Sequence, residues 1–224
     1  MCGRFALWTL VRALMEEFGL EEALYEPEPR FNIAPTQRVA AVVREGGRDR
    51  LVGMRWGLMA PWAKEASGSA PINARAETVA EKPTFRAAFR RHRCLLPADA
   101  FYEWRKVGDE KVPMLVRMAD RRPFGLAGIH GTWKGPDGTE VVSCAIVTTS
   151  ANELMASIHD RMPVIVPRDA RAIWLDPEVQ DPARLQPLMR PYPSSEMEAY
   201  QVSREVNSPS HDHPGLAKSV RGPF

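Results

Sequence analysis

Apolar positions recur along the chain with two periods. In residues 9–19, TLVRALMEEFG, a 3.6-residue turn stacks Leu10, Val11, Leu14, Met15 and Phe18 on one face, with Thr9 placed to cap the helix and Gly19 to end it. Apolar, β-branched runs bounded by Gly, Pro or charge predict strands over 38–44, 51–56, 112–118, 124–129 and 141–149. Between the last two, Gly135-Pro136-Asp137-Gly138 combines a preset φ with a permissive glycine, which predicts a tight hairpin. Helical spacing returns briefly at 83–92, 152–158, 168–175 and 183–189. YEPEPRFNIAPTQ, with three prolines, cannot be regular helix and reads as extended loop.

The strands do not alternate with long helices, so a parallel βαβ sheet is disfavoured. The pattern predicts a single α+β domain with a mixed or antiparallel, barrel-like β core flanked by short helices. No repeat or low-complexity linker divides the chain. The domain is expected over 1–206, followed by a Pro-, Gly- and Ser-rich tail, 207–224, expected to be poorly ordered.

Composition adds exclusions. Thirty basic against 28 acidic side chains leave a net charge of +2, so any affinity for nucleic acid must come from a local cluster. Cys2, Cys94 and Cys144 lack metal-ligand spacing and form no disulfide framework; no metal or cofactor is expected, and a reducing cytoplasm fits. No run approaches the ~20 apolar residues that span a bilayer. Glu16 and Glu17 spoil the N-terminus as a signal peptide, so it is expected to be kept apart from Met1.

Several segments carry candidate chemistry. Cys2 is followed by Gly3, which lets backbone approach a ligand, and by Arg4, suited to a phosphate. Exposed as the first residue, it would carry two nucleophiles, an amine of pKa about 8 and a thiol of about 8.5. In PINARAET, Asn73, Arg75 and Glu77 alternate, which gives a polar face or a solvated edge strand. Glu103 lies in apolar FYEW, where a carboxylate is a candidate general acid or base. His159, between Ile158 and Asp160, can shuttle protons or simply bond to backbone. KPTFRAAFRRHR places Lys82, Arg86, Arg90, Arg91 and Arg93 on a probable helix, as a DNA-binding or merely solvated face. Trp62, in RWGLMAPWAK, offers a surface for unpaired bases. His211 and His213 in the tail are read as solvated.

Taken in order, MCGRF, RFNIAPTQ, RWGLMAPWAK, INARAET, PADAFYEW and IHDRMPVIV resemble the SOS-response-associated peptidase family of abasic-site processing proteins, from Met1 to about Val166. YQVSREVNSP is a looser echo. The resemblance implies that processed Cys2 crosslinks to the ring-opened aldehyde of an abasic site in single-stranded DNA, its amine and thiol closing a thiazolidine. It implies that Asn73 holds the Cys2 end and the sugar, Glu103 relays protons and His159 donates to the sugar ring oxygen. Arg4 and Arg75 would bind phosphates, and Pro35 and Trp62 would splay the strand. Ala63 stands where the family often has a second Trp. A cytoplasmic monomer that joins the nucleoid through DNA is expected. Met1 removal by the chain itself and by an aminopeptidase both satisfy this chemistry. A cysteine peptidase or amidotransferase using Cys2, and a non-catalytic single-strand-binding module, remain alternatives.

Overall fold

The computed structural model describes residues 2–63 and 70–220; Met1, the Lys64 end of the APWAK motif and the last four residues lie outside them. Its strands are β1 (Phe5–Leu7), β2 (Glu22–Ala23), β3 (Arg30–Ile33), β4 (Arg38–Glu45), β5 (Arg48–Trp56), β6 (Asn73–Arg75) and β7 (Arg93–Ala98). There follow β8 (Ala100–Val107), β9 (Glu110–Met118), β10 (Phe124–Lys134), β11 (Glu140–Ser150), β12 (Arg161–Pro163), β13 (Ile165–Val166) and β14 (Met197–Gln201). The α-helices are short: α1 (Val11–Phe18), α2 (Pro83–Arg91), α3 (Glu153–Ala156), α4 (Arg171–Leu175) and α5 (Pro182–Leu185). None is long and apolar enough to cross a membrane.

Strand β11 pairs with β10, β10 with β7, β7 with β4 and β4 with β5, and β5 returns to β11. The ring is a closed five-stranded barrel. It is mixed, because the closing β5–β11 pair is parallel and the others are antiparallel. Closure leaves these strands few free edges. A second, antiparallel sheet runs in the order β14-β9-β8-β1-β3. The two are joined by continuous chain: β7 belongs to the barrel, β8 to the second sheet, and Asp99 alone separates them. The α+β, barrel-like reading of the sequence holds.

Local chemistry explains where the elements depart from the pattern. Strand β7 is buried at all six positions and includes Pro97, so it shows neither alternation nor a favourable residue set. Where β7 and β11 flank β10, Gly128 makes the fit: a Cβ there would run into the side chains of Leu96 and Cys94. Thr9 does not cap α1. Leu10 holds the cap position without a side-chain bond, and the Thr9 hydroxyl instead donates to Asp99 at 2.6 Å. Gly19 ends α1 with φ 62°, as expected. The helix predicted over 183–189 divides into α5 and a 3-10 turn at Gln186–Met189, because Pro187 has no N–H to continue the ladder. The hairpin forms where predicted, Gly138 N–H donating to the Gly135 carbonyl at 3.1 Å.

The C-terminal segment makes specific contacts that its composition does not announce. Buried Asn32 donates through Nδ2 to the carbonyls of Val206, Ser208 and His211. Asp212 accepts from Phe31 N–H at 2.5 Å and pairs with Arg30. Leu216 fills a small core with Ala6, Ala100, Tyr102 and Leu115.

Of the predicted basic run, Lys82, Arg86, Arg90 and Arg91 are exposed, while Arg93 is turned inward. Its guanidinium donates to the carbonyls of Phe89 and Arg90 at the end of α2, at 2.7 and 2.6 Å. It also reaches Trp174, at 2.6 Å, and Asp176. Desolvation pushes its pKa down to about 10, so it stays charged at neutral pH. Arg93 thus fastens α2 and α4 to the barrel. Arg93→Ala strands several buried carbonyls and is expected to cost about 3 kcal/mol of stability, read from the urea midpoint, with Arg93→Lys recovering only part.

Candidate functional site

Strand β1 lies between β8 and β3, in the register Phe5↔Phe101 and Ala6↔Ala100. Tyr102 N–H donates to the Arg4 carbonyl at 2.9 Å, and continuing the register sets Gly3 opposite Glu103. Asp99 fixes this placement: its carboxylate accepts from the N–H groups of Trp8 and Thr9, at 2.6 and 2.7 Å, as well as from the Thr9 hydroxyl. The N-terminal residues are thereby threaded into the protein, and Cys2 is fully buried.

Three predicted residues converge there. Asn73, at the start of β6 where it pairs in parallel with Ile146 of β11, donates through Nδ2 to the Cys2 carbonyl at 3.0 Å. Its Oδ1 is buried without a hydrogen-bond partner among the described residues. Glu103, 2% exposed, acts electrostatically on Cys2. Burial, and secondarily Glu103, drive the Cys2 thiol well above its ordinary range. Burial likewise raises the Glu103 carboxyl, against a lowering influence from His159. Carboxylate and thiol therefore favour their neutral forms together, and each disfavours ionisation of the other.

His159 stands between α3 and β12. Its Nδ1 accepts from Arg161 N–H at 3.0 Å and also lies 2.8 Å from Asp160 Oδ1, contacts that require opposite protonation of that nitrogen. With Arg75, Glu77, Thr78, Asp160 and Arg161 it lines a cleft of about 590 Å³. The alternation expected through Asn73, Arg75 and Glu77 stops at Arg75, where Thr78 N–H turns back to the Arg75 carbonyl at 3.1 Å. Asn73 consequently serves Cys2, while Arg75 and Glu77 serve the cleft. Arg161 grips Glu77 with two bonds, 2.6 and 2.9 Å, and also donates to the Thr148 carbonyl at 2.6 Å. Arg161 is a functional residue that the sequence reading did not single out. Its place in the IHDRMP motif was the available signal.

The remaining predicted residues are spread over the surrounding surface. Arg4 directs Nη1 to Asn32 Oδ1 and the Val206 carbonyl, at 2.7 and 2.8 Å, so part of its donor capacity is engaged internally. Pro35 is half-buried just past β3, followed by Thr36 at φ 74°, a strained setting for a β-branched residue. Trp62 is 65% exposed. Arg86 and Arg90 face outward on α2, away from buried Phe85 and Phe89. Cys94 and Cys144 are buried, and burial raises both thiols, that of Cys144 to about 12. Thiol acidity therefore does not distinguish Cys2; its position in the chain and its company do. No group of three or more potential metal ligands occurs among the described residues.

This arrangement has relatives. The abasic site processing protein YoqW of Bacillus subtilis is 44% identical over 223 residues, covering 98% of this chain and 100% of that protein. The abasic site processing protein YedK of Escherichia coli is 33% identical, covering 80% of this chain and 81% of its own. A solved structure from Bacteroides thetaiotaomicron shares the fold at a TM-score of 0.89 and 24% identity, covering 98% of this chain and 100% of the other. The family described as SOS response associated peptidase (SRAP) matches residues 1–209, which include β1, Asn73, Glu103 and His159. The chain belongs to the SOS response associated peptidase family.

Proposed function

We propose that this protein processes abasic sites by joining processed Cys2 covalently to the ring-opened deoxyribose in single-stranded DNA, which shields the site from strand cleavage. The observation that carries the reading is the convergence of Asn73 and Glu103 on Cys2, a residue whose amine is free only once Met1 is removed. The names of the relatives point to the same substrate.

The chemistry uses both groups of one residue. The Cys2 amine adds to the aldehyde carbon, C1′, and water leaves to give an imine. The Cys2 sulfur then adds to the same carbon while the thiol proton passes to nitrogen, closing a five-membered thiazolidine. Because the ring needs amine and thiol on one residue, neither Cys94 nor Cys144 can substitute. With the imine consumed, β-elimination has no route.

The neighbouring side chains supply what these steps lack. The thiol, held neutral by burial, needs a base, and the buried carboxyl of Glu103, its pKa raised by desolvation, is suited to taking up and returning that proton. Asn73 holds the Cys2 carbonyl, and its open Oδ1 can accept from the amine or a sugar hydroxyl. His159, at the cleft wall, donates to the sugar ring oxygen as the aldehyde opens. Arg75 and the remaining donors of Arg4 take phosphates, Arg86 and Arg90 add attraction along α2, and Pro35 and Trp62 part the strand. We extend the reading to Met1, whose removal by Cys2 chemistry would make the protein a peptidase acting on itself. A cysteine peptidase working in trans would use the thiol alone and tolerate a blocked amine, whereas an N-terminal-nucleophile amidotransferase would need the free amine but would hydrolyse glutamine and form no DNA adduct.

That difference supplies a test. Incubated with single-stranded DNA bearing one abasic site, the processed protein is expected to give a heat-stable adduct. Cys2→Ala should keep salt-sensitive binding but give no adduct, and protein that retains Met1 should likewise give none. An adduct formed by either would refute the thiazolidine. Glu103→Gln is expected to slow adduct formation about 100-fold. It should also flatten the parent's rise in rate with pH, since Glu103 becomes a base only above its raised pKa. The sign for stability is opposite. The folded state holds this proton more tightly than the unfolded chain, so the group's contribution falls as pH climbs from about 4.3 through the raised value. Glu103→Gln should therefore outlast the parent in urea at pH 7, with the gap closing below about pH 4.

A further inference from the structure

Beyond Glu103, strand β8 runs outward through Trp104, Arg105, Lys106 and Val107, and the packing on its two sides shows which way each residue faces. Phe101 belongs to the main core, as do Val116, Met114 and Val112, which lie opposite Phe101, Glu103 and Arg105 on β9. Ala100, Tyr102 and Leu115 belong to the small core that Val206 and Leu216 complete, and Trp104 packs against it. Arg105 therefore shares a face of the sheet with Glu103 and stands one pleat, about 7 Å, further along. Exposed Lys106, opposite Lys111, is on the other face with Trp104, over whose ring the Arg4 guanidinium sits.

Arg105 is a half-buried cation that nothing in the fold engages. Its Nε is buried without a hydrogen-bond partner, and the side chain makes no hydrogen bond or ion pair among the described residues. Glu110, further along the same hairpin, is taken by Arg204 at 2.6 Å. Withdrawing a guanidinium N–H from water without an acceptor is costly. Arg4, Arg161 and Arg171 also leave Nε open, but each commits other N–H groups to carbonyls or carboxylates, whereas Arg105 commits none. An acceptor brought by a ligand would complete it.

Position says which ligand. Strand β1 pairs with β8 at Ala6↔Ala100 and Phe5↔Phe101 and is extended by the bond from Tyr102 N–H to the Arg4 carbonyl, so little of it lies alongside the outer half of β8. An abasic sugar brought to the Cys2 amine carries a phosphate on each side, and β8 leads from Glu103 directly to an unengaged cation. A planar guanidinium fits two phosphate oxygens at once. Neutralising the phosphate also serves the chemistry: burial already raises the Glu103 carboxyl, and an uncompensated anion beside it would raise it further and weaken it as a base.

We infer that Arg105 binds one of the two phosphates flanking the abasic deoxyribose, from the face of β8 that carries Glu103. The inference rests on the proposed reaction at Cys2.

The test removes charge from one phosphate at a time. Single-stranded oligonucleotides carry one tetrahydrofuran, an abasic sugar that cannot open to an aldehyde, and a neutral methylphosphonate at each phosphate in turn. Equilibrium binding is measured for the parent, Arg105→Gln, Arg105→Lys and Lys106→Gln. The parent is expected to bind about tenfold more weakly when the methylphosphonate occupies one flanking position, the scale of a lost charged hydrogen bond. Arg105→Gln should bind the unmodified strand about tenfold more weakly and ignore the methylphosphonate at that position while still responding at the others. Arg105→Lys should recover part of the response, and Lys106→Gln should keep all of it. A poorly folded variant would instead lose affinity at every position alike. A parent without a sensitive flank, or a sensitivity that persists in both Arg105 variants at the parent's size, would overturn the inference. Adduct yield on matching aldehyde-bearing strands separates the two readings. Normal adduct with a scan unchanged in Arg105→Gln sinks the phosphate contact alone, whereas no adduct in the parent protein sinks the reaction at Cys2.

Discussion

Asp99 is the joint on which this architecture turns. It stands where the chain leaves the barrel at β7 and enters the second sheet at β8, and at that single residue it also captures the backbone of Trp8 and Thr9. Burial raises its carboxyl, an effect opposed by the three donors it accepts. Through this contact the crossing between sheets, the start of α1 and the register of β1 become one constraint. Strand β1 has only three residues, too few to choose a register by side-chain packing alone. With the register held from its far end, Gly3 meets Glu103 and Cys2 comes within reach of Asn73.

The arginines show how one residue type is divided among tasks. Arg93 secures helix ends from inside, and Arg161 and Glu77 frame the cleft as a two-pronged pair. Arg4 bridges β1 to Asn32 and Val206. Arg86, Arg90 and Arg91 remain at the surface. A nearly neutral chain can thus present a basic helix while much of its positive charge serves internal order.

Legibility followed physical cause. The long barrel strands β4, β5, β10 and β11 could be read because their β-branched runs are bounded by turn formers, and the hairpin because Gly135-Pro136-Asp137-Gly138 admits few other conformations. Strand β7 was invisible, since burial on both faces erases alternation. Strands β1 and β3 were hidden by brevity and by neighbouring prolines. Thr9 was misread as a cap because its partner, Asp99, is 90 residues away, and the inward turn of Arg93 depends on carbonyls of α4. Cys2, Asn73, Glu103 and His159 stand in the sequence as ordered motifs, but the meeting of Asn73 with Cys2 depends on a parallel β6–β11 pairing that local pattern cannot specify.

The strap from Val206 to Leu216 lies against the earliest part of the sequence, touching Arg4, Asn32 and Phe31. Ribosomes make these partners some 170 to 200 residues apart, which is about 9 to 40 seconds of synthesis at roughly 5–20 residues per second. A nascent chain therefore carries its N-terminal arm without the clasp that finally holds it. The arm is translated first but clasped only after residues 206–216 have followed it.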